Sequence, residues 1–391
     1  MHMNRRTLWT LYGCNFLDAI GVWFFLPLLP IFLGRKGGSA ALVGAVFAAG
    51  LLGNGAIRYP AGWAADRFGT RPVMVGALAL YSVFFLAYLL PLPLPAFIAV
   101  RFLHGAAGGA YVPASNGLVA AVTAPGQRSQ AYGMMQSTNL AGMLVGPAIG
   151  GFIALFNLNA VFVVAAVVCG VATLALAVLP NARVETGIEV PPRALRIARS
   201  LLPLIVLGAG TSYMIGSFDT IWSLYMTYRG ATPFAVGISF ATFALPAMLV
   251  SAYTGALGDR FGSMRLIGGA LMGTAIFAAV YPFVTSVPWL IGLGLIEGAF
   301  TVSGGPSLLA EVSRAAEPGY QARTQGLFQT IQTAIQIIGT LAGGYLFTIG
   351  PTYAFLAISV VCLLGAASPL LMRGRMSRGS VAHVLEPPPP V

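Results

Sequence analysis

The sequence predicts an all-α polytopic membrane protein: twelve transmembrane helices in two six-helix parallel repeats around a central cavity. Three observations carry this prediction. The 391 residues are 57% hydrophobic and only 8% charged, against about 25% charged in a soluble domain. There is too little polar surface here to cover a water-soluble body of this size. Apolar runs of about 20 residues, long enough to cross a bilayer, recur along the whole chain. Finally, a shift of 193 residues sets Asp66 on Asp259 and aligns the two halves over most of their length.

Taken in order, the first half (1–179) holds spans expected near 7–33, 41–62, 72–91, 95–121, 130–155 and 160–179. A polar segment rich in Arg and Pro, 180–199, reads as a linker. The second half (200–372) repeats the pattern near 200–227, 235–257, 266–286, 288–313, 324–348 and 352–372, before a basic, proline-ended tail, 373–391. The runs are too long and lack the alternation of barrel strands. The N-terminus leads straight into a span containing Asp18 and carries no small-residue cleavage site, so it is expected to stay as a first helix.

Charge sets the expected orientation. With both termini inside, the inner segments hold Arg5, Arg6, Arg67, Arg71, Arg128, Arg260, Arg265, Arg314, Arg323 and the arginines of linker and tail. The outer segments hold only Arg35, Lys36 and Arg229. Positive charge collects on the cytoplasmic side, which predicts a multi-pass protein of the cell inner membrane with cytoplasmic termini. The net charge of +11 has the same origin. No basic patch with interleaved aromatics points to nucleic acid. Cys14, Cys169 and Cys362 all lie in apolar runs without CxxC spacing, so neither a disulfide framework nor a metal site is expected.

The repeat is dense in glycine. Gly44 falls on Gly237, Gly62 on Gly255, Arg67 on Arg260, Gly69 on Gly262, Gly146 on Gly339 and Gly150 on Gly343. A six-span unit has both ends on one side, so its copies share an orientation and are related by an axis along the membrane normal. A binding site can form where two such bundles meet.

Four stretches then resemble a known family. "GWAADRFGTR" (62–71) is similar to the signature loop of the major facilitator superfamily, and "GALGDRFGSMR" (255–265) to its weaker second copy. "LDAIGVWFFLPLLP" in span one resembles the pattern of the superfamily's twelve-span drug:proton antiporters. "RFLHGAAGGA" in span four resembles a motif linked to proton transfer, and "GMLVGPAIGG" (142–151) in span five the antiporter motif. The resemblance implies a secondary active transporter, with proton-coupled efflux of small amphipathic or drug-like molecules by alternating access. It also implies no cofactor beyond the proton gradient, and a single chain suffices. The same fold also admits a proton-coupled importer, or an exporter of a sugar or other small metabolite. An intramembrane enzyme or receptor is disfavoured, since neither a nucleophile with its base nor a large soluble domain is apparent. No P-loop, dinucleotide fingerprint or HExxH is present either.

The resemblance assigns gating to Gly62, Asp66, Arg67, Gly69 and Arg71 in the first loop and to Gly255, Asp259, Arg260 and Gly262 in its copy. There the expected latch has Gly62 close to a neighbouring helix and Asp66 accepting amides at a helix N-terminus. In span five, Gly142, Gly146, Gly150 and Gly151 allow close helix contact. Pro147 bends the helix, and the bend is expected to seal the outer side. Thr340 stands where the second copy would place that proline.

Ionisable residues within a bilayer are costly and therefore functional suspects. Asp18, Arg101, His104, Asp219 and Glu297 are the candidates for proton coupling, with Asp18 and Glu297 first. A carboxylate in a low-dielectric cavity is a poor place for a bare charge and can take up a proton. Competition between proton and cationic substrate for one carboxylate then gives exchange, and Arg101 is expected to modulate Asp18. Trp23, Phe24, Tyr111, Asn116, Gln136, Asn139, Trp222, Tyr225, Gln329, Gln332 and Gln336 are the expected lining of an amphipathic cavity. The substrate itself is not legible.

Overall fold

A computed structural model describes residues 5–123, 128–179, 181, 194–246, 263–315 and 321–380. All regular structure among these residues is helical. The helices of the first half are α1 (Arg5–Phe25), α2 (Leu29–Arg35), α3 (Ala40–Phe68), α4 (Thr70–Ala87), α5 (Ala96–Val122), α6 (Arg128–Phe156) and α7 (Leu158–Ala177). Those of the second are α8 (Ala194–Tyr228), α9 (Pro233–Pro246), α10 (Ser263–Val280), α11 (Val287–Ser303), α12 (Gly305–Arg314), α13 (Gln321–Ile349) and α14 (Pro351–Ser380). Counted as spans, with α1–α2 and α11–α12 each one broken span, they follow the twelve expected segments in order.

Proline, glycine and capping residues explain the boundaries. Pro27 and Pro30 turn the expected continuous first span into α1, a 3₁₀ turn over Leu26–Leu28 and α2, because proline removes a helical hydrogen bond. The tenth span, also expected to be continuous, breaks at Gly304, beside a second glycine and a proline. Ser39 caps α3 by accepting the Leu42 N–H at 3.2 Å, and Asn157 caps α7 by accepting that of Asn159 at 2.9 Å. α8 starts at Ala194 and α14 runs to Ser380, so helix extends beyond the expected boundaries at both places.

Eight helical stretches among the described residues are long and apolar enough to cross a membrane. α5 and α13 are long but fall outside that group. They carry Arg101, His104 and Asn116, and Gln329, Gln332 and Gln336, respectively, so their lower hydropathy is the polarity of the candidate site. Outward-facing side chains are strongly apolar, with Phe156 78%, Leu174 74% and Val178 80% exposed. Contiguous apolar surface of this kind belongs against lipid.

Helices α1, α3, α4, α5, α6 and α7 pack among themselves, as do α8, α10, α13 and α14. α3 also packs along α13, which joins the two halves.

Candidate functional site

Glycines bring the halves together on the side that the charge asymmetry predicts to be outer. Gly142, Gly146 and Gly150 of α6 face α1. A Cβ on Gly146 would lie 2.8 Å from Trp23 Cβ, and one on Gly150 would lie 2.9 Å from Phe24 Cα. Gly151 faces the other way, onto α9 of the second half. A Cβ there would lie 3.0 Å from Phe234 Cα and 3.3 Å from Gly237 Cα. Gly237 in turn lies against the Pro147 carbonyl. The 193-residue shift carries Gly151 to Gly344 and Gly237 to Gly44, and these meet as well. A Cβ on Gly344 would lie 3.1 Å from Gly44 Cα, and one on Gly44 would lie 2.7 Å from the Thr340 carbonyl oxygen. Two symmetric crossings with backbones in contact therefore join the halves. In place of a proline, Thr340 donates its hydroxyl to the Gly216 carbonyl at 3.1 Å.

The polar stretch 62–71 differs from the expected loop. α3 continues through Gly62 to Phe68, and Gly69, at φ 97°, alone separates it from α4. Among the described residues a methyl group on Gly62 would meet Pro113 Cβ of α5 at 3.7 Å, an ordinary contact with room to spare. Gly69 is the demanding position. Its φ suits glycine, and a Cβ would collide with the Asn181 side chain. Asn181 donates to the Phe68 carbonyl at 3.2 Å and accepts the Arg71 N–H at 3.2 Å, while the Arg71 guanidinium donates to the Leu179 carbonyl at 3.3 Å. Asn181, just past span six, went unnoticed in the sequence because it sits at the edge of the polar linker. Arg67 lies over the Trp63 ring at 5.4 Å. The Asp66 side chain and Gly255, Asp259, Arg260 and Gly262 lie outside the described residues.

The ionisable candidates separate into distinct settings. Glu297 is buried and accepts a 2.6 Å hydrogen bond from the Tyr281 hydroxyl, while its Oε1 has no partner among the described residues. His104 is buried with Nδ1 3.4 Å from the Tyr88 hydroxyl and its ring centroid 4.0 Å from Tyr81 and 4.5 Å from Phe85. The repeat shift carries His104 to Glu297 and Tyr88 to Tyr281, so one tyrosine scaffold holds two different ionisable groups. Asp18 is partly buried, within electrostatic reach of Tyr81, Tyr111 and Cys169.

Arg101 turns elsewhere than expected. Its guanidinium lies 5.3 Å from the Phe25 ring centroid and beside Gly50. Its field reaches Asp219 of the second half, whose carboxylate is also within hydrogen-bonding reach of Gln336. Arg101 is also within hydrogen-bonding reach of Tyr88 in its own half.

Of the expected cavity lining, Asn116, Gln136, Asn139 and Gln329 are exposed, and Trp23 and Gln336 are half-buried. Phe24, Tyr111, Trp222, Tyr225 and Gln332 are buried. Trp222 donates to the Ser239 hydroxyl at 2.9 Å, and Tyr225 to the Tyr281 carbonyl at 2.7 Å. A cavity of about 280 Å³ lies between α8, α12 and α13 and takes in Gln329, Gln332 and Gln336. Among the described residues no cluster of three His, Cys, Asp or Glu side chains could hold a metal ion.

Comparison with known proteins gives these features a context. The family model described as Major Facilitator Superfamily matches residues 11–210 and again 201–389. Multidrug resistance protein 2 of Bacillus subtilis (strain 168) is 24% identical, covering 92% of this chain and 94% of that protein. Tetracycline resistance protein, class C, of Escherichia coli is 26% identical, covering 96% and 99%. Among solved structures, a bacterial homolog to the human lysosomal transporter Spinster, in an inward-facing and occupied conformation, superimposes with a TM-score of 0.79 at 14% identity, covering 97% of this chain and 98% of that one. At that identity the likeness speaks for the fold alone.

Proposed function

The chain belongs to the Major Facilitator Superfamily, and on that premise we propose that it exports small amphipathic, drug-like molecules in exchange for protons. It is a multi-pass membrane transporter rather than an enzyme. The relatives that it matches over nearly their whole length are named for multidrug and tetracycline resistance, which supports export as the direction. The inner membrane, with cytoplasmic termini, is the setting that the arginine distribution supports. One chain, with residues 1–179 and 200–372 as the two rocking halves, is sufficient.

The observation that carries this reading is a seal on one side combined with carboxylates held inside. The two glycine crossings, Gly151–Gly237 and Gly44–Gly344, close the predicted outer face, while Asp18, Asp219 and Glu297 sit within the helices. With the inner face open, a carboxylate releases its proton to the cytoplasm and a cationic substrate takes its place. Once the halves rock, protons from outside displace the substrate. Asp18 and Glu297 carry the exchanging proton. Asp219, which feels the charge of Arg101 in the other half, ties charge to outer closure, and His104 supports span four. The route is lined by Asn116, Gln136, Asn139 and Gln329, and the Gly69–Asn181 junction holds the inner ends of α3 and α4 to the end of α7.

The test is uptake of tetraphenylphosphonium, a permanent lipophilic cation, into everted membrane vesicles energised to be acid inside. Uptake that collapses on adding a protonophore supports the reading. Uptake indifferent to the gradient, or present only for neutral sugars, contradicts it.

A further inference from the structure

We propose that the cavity between α8, α12 and α13 is a substrate subsite for an uncharged, carbonyl-bearing group, recognised by the amide of Gln332. The proposal rests on the export reading and adds to it the chemistry of one end of the substrate. Six polar side chains line the cavity: Thr211, Ser212, Gln329, Gln332, Thr333 and Gln336. None of them carries a formal charge. The four from α13 follow the i, i+3, i+4, i+7 spacing that puts residues on one helical face. Gly208 and Gly305, also in the lining, contribute no side chain and leave the space open.

Gln332 is the distinctive member. The Ser212 hydroxyl donates to its Oε1 at 3.1 Å, which turns Nε2 toward Gly208, where a Cβ would strike it. Among the described residues Nε2 is buried and has no hydrogen-bond partner, although buried donors are almost always paired.

The first half shows that this vacancy is particular to the second. The repeat shift carries Gly208 to Asn15, Thr211 to Asp18 and Gln332 to Asn139. There Asn15 fills the equivalent notch, donating to the Met135 carbonyl at 3.0 Å and the Thr138 hydroxyl at 2.8 Å. Among the described residues, Gln332 is the side-chain amide that is both buried and left with a donor unpartnered.

A donor in a lining whose side chains carry no formal charge selects for a neutral acceptor. A carbonyl or amide oxygen pairs with it, whereas an ammonium finds no carboxylate among the lining residues and a carboxylate finds no cation. Pockets that enclose a drug-sized ligand run to about 300–1,000 Å³, so 280 Å³ takes part of such a molecule. The rest of the molecule extends into the central space toward the first half.

Isothermal titration of the purified full chain with two probes tests this. Chloramphenicol is uncharged and rich in acceptors, while tetraphenylphosphonium is a cation without a hydrogen-bonding group. Gln332→Leu should weaken chloramphenicol binding roughly five- to tenfold, the effect of one lost hydrogen bond, and leave tetraphenylphosphonium within about twofold. Gln332→Glu keeps the shape and the bond from Ser212 but removes both N–H donors. It should weaken chloramphenicol in the same way without weakening the cation, and it decides the matter if the leucine variant does not fold. Equal loss of both probes, or no loss of chloramphenicol, overturns the subsite, as does a wild-type chain that binds the cation but not chloramphenicol. A wild-type chain that binds neither overturns the export reading itself.

Discussion

Glu297 and His104 stand at equivalent positions, each facing a tyrosine that the repeat also relates, yet only one of the two is a carboxylate. In the His104 copy, aromatic rings close around the imidazole, and among the described residues His104 Nε2 and one carboxylate oxygen of Glu297 both lack a hydrogen-bond partner. We propose that the carboxylate of Glu297 carries the proton and that His104, ringed by aromatic side chains, serves packing. Glu297→Gln keeps the shape and the bond from Tyr281 but cannot exchange a proton. We expect it to fold, bind tetraphenylphosphonium and sustain counterflow in proteoliposomes while losing gradient-driven accumulation. Accumulation at the wild-type level would move the role to Asp18, whose Asp18→Asn variant gives the same readout. The sequence singled out both residues, because a charge inside an apolar run is visible without a structure. The tyrosines went unread, because a Tyr in a membrane helix looks like any other until its partner is known.

At the scale of single helices, the glycines divide into those that the fold requires and those that merely recur. Gly62 and Gly69 both belong to the quoted signature, but only Gly69 combines a positive φ with a crowded neighbour. Gly69→Ala should cost roughly 1–3 kcal/mol and lower the melting temperature of the purified protein. Gly62→Ala should stay within about 0.5 kcal/mol. Equal effects at the two positions would contradict this account of the junction. Gly44 tests the outer crossing. A leucine there overpacks only the closed outer face, by roughly 1–3 kcal/mol, enough to shift the balance of states about tenfold. Spin labels on the outer ends of α3 and α13 should report greater separation in Gly44→Leu, whereas an unchanged distance would contradict the seal. The repeat made these glycines visible in the sequence. The continuation of α3 to Phe68, the break at Gly304 and the clasp by Asn181 were not visible, because each depends on what lies opposite in space rather than on local pattern.

The whole molecule follows from composition and repetition more directly than from any single residue. Scarce charge, apolar runs of bilayer length and a 193-residue repeat led to two six-span bundles, and the helical segments follow that order. Orientation rests on arginine placement, so cysteine labelling at Thr232 should succeed from outside and at Ala182 only after the membrane is opened. The reverse pattern would invert the predicted topology. How the halves exchange protons for substrate depends on both faces of the molecule, and one measurement addresses it most directly. Proteoliposomes holding the purified chain and an internal pH dye, with no initial gradient, receive tetraphenylphosphonium on one side only. Antiport predicts that the inward flow of cation drives protons out, so the lumen becomes alkaline, and that Glu297→Gln abolishes the signal. A lumen that becomes acid, or that stays unchanged while the cation enters through the protein, would contradict proton-coupled exchange.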